Sequence, residues 1–272
     1  MEKNALILLI GPSCSGKDSL LNQITNSIPS VKKMQLCTTR EPREGEKTDP
    51  DILFYTLNQY EKLRSDIKID SRSYQMYNNA GELTTVFYTN LVPVELLEDI
   101  PHCKSTYIGI TTLDGLQQFD KNKLITENFD ITAISLVVDE GVRIKRYMSR
   151  VCKDKNSVSY DTIKEILRRV DQDRKDFSKE KFDSICKNLE HMSVHAIDGN
   201  RNISVVATDV KHVMFNKMNK KETLKAVESI LLKFKDDTAA LIRGRDNVDV
   251  STCTKISSYP ADLLKEIVKE VY

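Results

Sequence analysis

The chain has 272 residues, of which 41 are Lys or Arg and 40 are Asp or Glu, so its formal net charge is +1. A nearly neutral chain has no overall field directed at nucleic acid or anionic lipid, and we expect neither nucleic acid nor a membrane as a partner. No apolar run approaches the roughly 20 residues of a membrane-spanning helix. The six cysteines form no C-x-x-C pair, which favours reduced thiols and a cytoplasmic protein.

Strand and helix signals alternate along the first half of the chain. The apolar run 5–10 ends at Gly11-Pro12 and predicts a strand buried on both faces. From Lys17 to Pro29 the apolar residues recur with helical spacing. Further strand-like segments, a polar loop and a short helix follow: strand 33–37, loop 40–51, strand 52–56, a hairpin over 71–89 and helix 91–99.

The second half continues the alternation. Two buried strands are predicted at 107–111 and 131–138, with a helix starting at 114–119 between them. Later segments are predicted as basic helices 140–151 and 159–177, paired strands 193–197 and 203–215, and amphipathic helices at 221–235 and after Pro260. Strands that alternate with helices predict an α/β fold with a parallel sheet.

The strongest chemical signal follows the first predicted strand. The sequence Gly11-Pro12-Ser13-Cys14-Ser15-Gly16-Lys17 fits G-x-x-x-x-G-K. Glycine at both ends lets the backbone fold around a phosphate with successive N–H groups directed inward. The start of the next helix adds free N–H groups and partial positive charge, and Lys17 adds a full charge for the β- and γ-phosphates. This loop therefore predicts an ATP site.

The residue after the lysine is unusual. The motif normally continues with Ser or Thr, whose hydroxyl contacts magnesium, whereas this chain has Asp18 followed by Ser19. A carboxylate there can bind Mg²⁺ directly or through water, and Ser19 is a second candidate. Asp18 can also act as a favourable acidic residue in the first helical turn. We expect the magnesium role, with Asp18 as the metal ligand.

A second anion-binding pattern lies in the polar loop. Arg40 and Arg43 stand three residues apart in Thr-Thr-Arg-Glu-Pro-Arg-Glu-Gly-Glu, the segment 38–46. A guanidinium group matches phosphate oxygens in bidentate fashion, so two of them on one loop can clamp a phosphate. Arg40 and Arg43 are therefore predicted to bind the phosphate of an acceptor.

These motifs resemble the guanylate kinase family. That family has G-P-S-G-x-G-K-[ST], T-T-R-x-P-R-x-G-E and D-Y-x-F where this chain has its loop, its arginine pair, and Asp51 with Phe54. Weaker matches follow in the same order, at 87–90, 146–150, 168–169 and 182–188. The resemblance covers roughly residues 5–235 and implies a three-layer P-loop kinase sandwich with a central parallel sheet, a small mixed α/β acceptor-binding subdomain and a helical lid.

The resemblance also implies residue roles. Tyr88 would donate a further hydrogen bond to the acceptor phosphate, and Asn188 would lie near the adenine of ATP. Arg146, Arg150 and Arg169 would close over the phosphoryl group in transfer. Such catalysis needs little covalent chemistry, because positioning and charge stabilisation account for most of it.

Several positions depart from the family pattern. Ile52 replaces the tyrosine of D-Y-x-F, and Gln35-Leu36-Cys37 lacks the hydroxyl that contacts guanine. The strand normally written I-L-D-x-D-x-x-G, here 107–115, lacks both carboxylates, and Glu82 is a candidate for another guanine-reading carboxylate. A site that loses polar partners for a base discriminates less well. The phosphate-binding residues are therefore better preserved than the base-reading ones.

The sequence therefore predicts transfer of the γ-phosphoryl of ATP to a nucleoside monophosphate, with GMP first. Two alternatives stay open: a degenerate protein-binding module, and a kinase of another phosphorylated acceptor such as ribose 1,5-bisphosphate, suggested by G-K-D-S-L. We also expect that the protein can form a homodimer. The predicted domains are a kinase-like unit 1–236, with core 1–34, 103–140 and 178–236, acceptor-binding subdomain 35–102 and lid 141–177, and an extension 237–272 with a terminal helix.

Overall fold

The computed structural model describes residues 3–42, 46, 50–77, 82–97, 105–151 and 160–216. Their strands are β1 (Asn4–Ile10), β2 (Val31–Lys33), β3 (Leu36–Thr38), β4 (Ile52–Phe54), β5 (Lys68–Tyr77), β6 (Leu83–Leu91), β7 (Thr106–Ile110), β8 (Phe129–Val137) and β9 (Met192–Asp198). Their helices are α1 (Lys17–Ser27), α2 (Leu57–Glu61), α3 (Val94–Leu97), α4 (Leu113–Lys121), α5 (Lys123–Asn128), α6 (Glu140–Val151), α7 (Tyr160–Asp176), α8 (Lys179–Lys187) and α9 (Ile203–Phe215). A single 3₁₀ turn, Ser65–Ile67, precedes β5 in this part of the chain.

A parallel sheet lies at the centre of the described residues, with the strand order β2-β7-β1-β8-β9. The middle strand β1 is buried along its whole length, as its continuous apolar sequence predicts. Ile7 and Leu9 pack on the side of α1 and α9, whereas Leu6 and Leu8 pack on the side of α4 and α5. The sheet is thus covered on both faces, and the predicted α/β fold with a central parallel sheet is confirmed.

A second, smaller sheet is built from the segment between β2 and β7. Its strand order is β4-β3-β6-β5, with β3 parallel to β4 and antiparallel to β6. The hairpin predicted over 71–89 corresponds to β5 and β6, which pair in antiparallel fashion. Their register sets Arg72 opposite Tyr88, so the two side chains lie on the same face of this sheet.

The prediction of a strand over 203–215 is wrong, because this segment forms the helix α9. The β-branched run after Asn202 looks strand-like, but Val206, Val210 and Met214 recur every four residues and are all buried against α1. The Asn202 side chain caps the helix by accepting a hydrogen bond from the Ser204 N–H at 2.9 Å. Helical packing against a neighbour therefore outweighs local strand propensity here.

The single strand predicted at 33–37 is divided between two sheets. Val31–Lys33 pairs with β7 in the central sheet, and Leu36–Thr38 pairs with β4 and β6 in the smaller one. The chain crosses between them at Met34 and Gln35, whose backbone groups bond to Ile108 and Leu91 respectively. Periodicity indicates extended backbone but does not reveal which sheet it joins.

The helices predicted at 221–235 and after Pro260 lie outside the described residues. Among the helices that are described, none has both the length and the apolar character needed to cross a membrane.

Candidate active site

The glycine loop between β1 and α1 has the backbone of a phosphate cradle. Gly11 has φ +151° and Gly16 has φ +100°, a region that other residues rarely adopt. A Cβ atom on Gly11 would lie 2.9 Å from the Ser15 Oγ and 3.0 Å from the Leu136 carbonyl oxygen, so glycine is also required for space. The predicted requirement for glycine at both ends of the loop therefore has a direct structural cause.

Cys14 adopts a left-handed conformation within the same loop, with φ 59°. This conformation costs a residue with a side chain roughly 1–2 kcal/mol, and glycine is favoured there. We expect Cys14→Gly to stabilise the fold by about 0.5–1 kcal/mol, after allowing for the extra entropy of glycine in the unfolded chain. Thermal unfolding measures this, with Cys14→Ala as the control because it keeps the Cβ. A glycine variant less stable than the alanine variant would contradict the prediction.

The Lys17 ammonium group is folded onto the start of the loop. Its Nζ donates to the carbonyl oxygens of Gly11 at 2.6 Å and Pro12 at 2.9 Å. Burial lowers the pKa of Lys17 below its usual 10.5, although the carboxylates of Asp18 and Asp173 act in the opposite direction. A phosphate bound beside the ammonium group would raise the pKa of Lys17 again, because opposite charges at close range stabilise each other.

The lowered pKa of Lys17 predicts that the binding of a phosphate ligand such as ATP depends on pH. We expect binding to take up a proton between the lowered pKa of the free site and 10.5, since a phosphate raises the pKa again. The affinity for ATP should therefore fall as pH rises through the lowered pKa. Calorimetric titrations in alkaline buffers with different ionisation enthalpies measure the proton uptake. Proton release, or an affinity independent of pH, would contradict this assignment.

A cavity of about 650 Å³ opens beside the loop, a volume typical of small-molecule sites. Three parts of the chain surround it in addition to the loop residues Gly11, Ser13 and Lys17. They are the β5–β6 sheet through 71–76 and Tyr88, the segment 110–114, and α7 through Arg168, Arg169, Gln172 and Asp173. The glycine loop, the smaller sheet and α7 thus meet at one cavity, which we call the inner cavity.

The predicted acceptor residues Tyr88 and Arg40 lie together. Tyr88 lines the inner cavity, and the charge on Arg40 is favoured by contacts with Tyr88 and Glu46. Arg40 Nη1 lies 2.7 Å from the Glu46 carboxylate, and only 9% of the arginine side chain is exposed. Burial is the largest single effect and disfavours its charge, but the interactions with Glu46 and Tyr88 together exceed it and raise the pKa of Arg40 above its usual value. Arg43 lies outside the described residues.

Arg72 is a cation of the inner cavity that the sequence analysis missed. Among the described residues its one ion-pair partner is Asp70, whose Oδ2 lies 3.2 Å from Nε without hydrogen-bond geometry. Arg72 also lies close enough to Lys17 to oppose its protonation. The Asp-x-Arg spacing on a strand, which places both side chains on one face, is the signal that could have identified it.

The Asp70 carboxylate is fully buried and committed to hydrogen bonds within the protein. Its Oδ1 accepts from the Asn90 backbone N–H at 2.7 Å and from Asn90 Nδ2 at 3.0 Å. Its Oδ2 accepts from the Thr111 hydroxyl at 2.8 Å. Asp70, in β5, therefore contacts the end of the segment 107–115, which lacks the family carboxylates. It does not line the inner cavity. Glu82, the candidate named from sequence, does not line it either.

The three arginines predicted to close over the phosphoryl group are divided between two cavities. Arg169 lines the inner cavity, and its Nε donates to the Glu165 carboxylate at 2.7 Å. Arg146 and Arg150 line a second cavity of about 330 Å³, here called the outer cavity, whose wall also includes residues 16–19. The ring of Tyr147 lies between the two groups, within 5.1 Å of the Arg150 guanidinium and 5.5 Å of that of Arg169.

Arg146 holds the loop from outside. Its Nη1 donates to the Ser15 carbonyl oxygen at 3.1 Å and its Nη2 to the Gly199 carbonyl oxygen at 2.8 Å. The guanidinium thereby joins the loop to the segment after β9. Asn188, predicted near the adenine, ends α8 and donates to the Ser184 carbonyl oxygen at 2.8 Å; it lines neither cavity.

Asp18 and Ser19 are exposed in the first turn of α1 and line the outer cavity together with Cys14 and Gly16. The described residues contain no group of three or more His, Cys, Asp or Glu side chains arranged to hold a metal ion. Mg²⁺ at phosphate sites usually keeps several waters and binds through one or two carboxylates plus substrate phosphates. One accessible carboxylate beside a phosphate cradle fits that ligand set, so Asp18 remains the predicted ligand.

A buried ion pair links the loop to α6 and α7. The Arg143 Nη1 donates to the Asp173 Oδ2 at 2.6 Å, and the Asp173 carboxylate accepts from the Ser13 backbone N–H at 3.0 and 3.1 Å. Neither Arg143 nor Asp173 was identified from sequence. They are 30 residues apart, and no local pattern indicates that two basic helices bring them together.

A buried strand, a glycine loop with left-handed backbone, a helix N-terminus and a half-buried lysine together define the class of P-loop phosphate-binding proteins. Within that class, the chain is similar to guanylate kinases. It is 37% identical over 68 residues to the guanylate kinase of Shouchella clausii and 39% identical over 72 residues to that of Desulfitobacterium hafniense. The predicted resemblance to the guanylate kinase family is confirmed by these matches.

The similarity is partial. The two matches cover 25% and 26% of this chain and 33% and 34% of the relatives, so the chain spans about a third of the length of each. No family model matches the chain. A crystal structure of guanylate kinase from Anaplasma phagocytophilum aligns with 86% of this chain and 97% of its own, with a TM-score of 0.47 and 14% identity.

Proposed function

We propose that the protein is a guanylate kinase-like phosphotransferase, which uses ATP and Mg²⁺ to phosphorylate a nucleoside monophosphate, GMP being the first acceptor to test. The observation that carries the proposal is the inner cavity, whose wall includes Lys17 of the loop and, on the smaller sheet, Tyr88 and Arg72. A donor phosphate at Lys17 and an acceptor phosphate at Tyr88 would then share one cavity, with Arg40 in contact with Tyr88 behind the cavity wall.

Each cation has a separate task in this proposal. Lys17 neutralises the donor phosphates, Arg40 holds the acceptor phosphate, and Arg169 stabilises charge on the group in transfer. Mg²⁺ would be held by Asp18 and would neutralise phosphate charge. The chain needs no nucleophile of its own, because in-line transfer between bound phosphates depends on positioning and charge. The free thiols of Cys14, Cys37 and Cys186 suit a cytoplasmic site of action.

A panel of acceptors tests the proposal. Purified protein, labelled ATP and Mg²⁺ are incubated with GMP, dGMP, AMP, CMP, UMP and dTMP, and with ribose 1,5-bisphosphate in parallel. Transfer to a nucleoside monophosphate supports the proposal. Transfer to the sugar bisphosphate alone supports the other kinase reading.

A protein-binding module is the second candidate, favoured by the lost base-reading groups. Asp70 is committed to internal hydrogen bonds, and the family carboxylates of 107–115 are absent. Such a module has no use for ATP. Calorimetric titration with ATP and Mg²⁺ separates the candidates, because no heat of binding together with no turnover on any acceptor would leave the binding module.

A further inference from the structure

The Asp173 carboxylate of α7 occupies part of the phosphate cradle. The Ser13 backbone N–H lies 3.1 and 3.0 Å from the two Asp173 carboxylate oxygens, and the Ser13 hydroxyl donates to Oδ1 at 3.1 Å. Ser13 is the third residue of the G-x-x-x-x-G-K motif, whose inward N–H groups bind phosphate. An internal anion thus already uses a donor that belongs to the predicted ATP site.

Arg143 holds this carboxylate in place. Its Nη1 lies 2.6 Å from the Asp173 Oδ2 and 3.4 Å from the Ser13 carbonyl oxygen. Only 8% of the Arg143 side chain and 10% of the Asp173 side chain are exposed, so water screens the pair weakly. The contact joins α6, α7 and the loop at one buried point. The helix α7 therefore cannot move away from the loop without breaking the contact between Asp173 and Ser13.

We propose that Asp173 competes with a phosphate of ATP for the Ser13 amide, so that ATP binding must displace α7 from the loop. The inference rests on the proposed function in taking ATP as the ligand. Two anions cannot share one N–H donor at low cost, because their repulsion is strong in a buried site. Displacement replaces the carboxylate with a phosphate and leaves the Arg143 guanidinium next to the new anion.

The arrangement links nucleotide binding to the position of α7, which also carries Arg169. Without ATP, the buried pair keeps α7 against the loop, with Arg169 bound to Glu165. With ATP, release of Asp173 frees the helix to take a second position. A ligand shifts such an equilibrium only through its different affinity for the two states, and here the difference is the occupied Ser13 amide.

Neutral substitutions of Asp173 test the competition. Asp173→Asn and Asp173→Ser remove the charge, and we expect each to bind ATP–Mg²⁺ on the order of tenfold more tightly than the parent. Asp173→Glu keeps the charge and should stay near the parent. Asp171→Asn is the matched control, because Asp171 lies on the same helix with 67% of its side chain exposed. Adenosine, which has no phosphate, should bind the parent and all variants equally.

The measurement is calorimetric titration of the folded full chain, with folding checked by thermal unfolding. The inference is overturned if the neutral variants bind ATP no more tightly than Asp171→Asn, or if adenosine affinity rises by the same factor. ATP binding by Asp173→Asn but not by the parent would support strong competition. If neither the parent nor the neutral variants bind ATP, the proposed function fails and this inference fails with it. Parent binding without a change in the variants removes this inference alone.

Discussion

Replacing Lys17 with methionine is expected to lower the rate of phosphoryl transfer about 10³-fold, because it removes a charge that acts on the group in transfer. Methionine has a similar length and suits the low polarity that already lowers the pKa of the lysine. The fold should persist, since β1 and α1 are held by apolar packing on both sides of the sheet. Steady-state kinetics with the best acceptor of the panel measure the effect.

Lys145→Met is the matched control for Lys17→Met. Lys145 is an exposed lysine of α6, so the same change of residue type should leave the rate within about twofold of the parent. A Lys17 variant that retained full activity would contradict the assignment of the loop as the donor site. Equal losses in both variants would indicate a general effect of the substitution.

Replacing Arg40 with glutamine is expected to raise the acceptor KM on the order of 10–100-fold, because a charge-assisted bond to the acceptor phosphate is lost. The KM for ATP should stay nearly unchanged, since Arg40 contacts Tyr88 and Glu46 of the smaller sheet and its loop rather than the glycine loop. Kinetics with each substrate varied in turn separate the two constants. A rise confined to the KM for ATP would contradict the acceptor role.

Arg64→Gln provides the control for Arg40→Gln. Arg64 belongs to the same part of the chain and pairs with Asp66, but 75% of its side chain is exposed. Surface substitutions of this kind change stability little, and neither KM should move. Loss of folding in Arg40→Gln alone would be detected as a lower unfolding temperature. In that case Arg40→Lys, which keeps a charge but not the fork, should show the same selective rise in acceptor KM.

The loop and its flanking elements were predictable because their signals are contiguous. A buried strand, glycines at fixed positions and helical spacing all fall within residues 4–27, and each signal is local. The glycine requirement at Gly11 follows from the same motif. The backbone of the phosphate cradle can therefore be predicted from short contiguous stretches of sequence.

The features of the site that could not be predicted from the sequence depend on contacts between distant segments. The Arg143–Asp173 pair joins two helices to the loop, and Asp70 reaches Thr111 across 41 positions of the chain. Periodicity shows which face of an element is buried but not what it meets. The division of the lid arginines between two cavities has the same cause, because Arg146 turns to the Ser15 carbonyl rather than to the inner cavity.

A bisubstrate analogue tests the central claim most directly. In such a compound an adenosine and a second nucleoside are joined through five phosphates, so it must occupy the donor and acceptor sites together. If Lys17 and Arg40 serve one transfer site, the analogue should bind at least about 100-fold more tightly than ATP alone, since the second contact becomes intramolecular. It should lose that advantage in Arg40→Gln. Guanosine- and uridine-containing analogues that bind no better than ATP would contradict a shared site for two nucleotides.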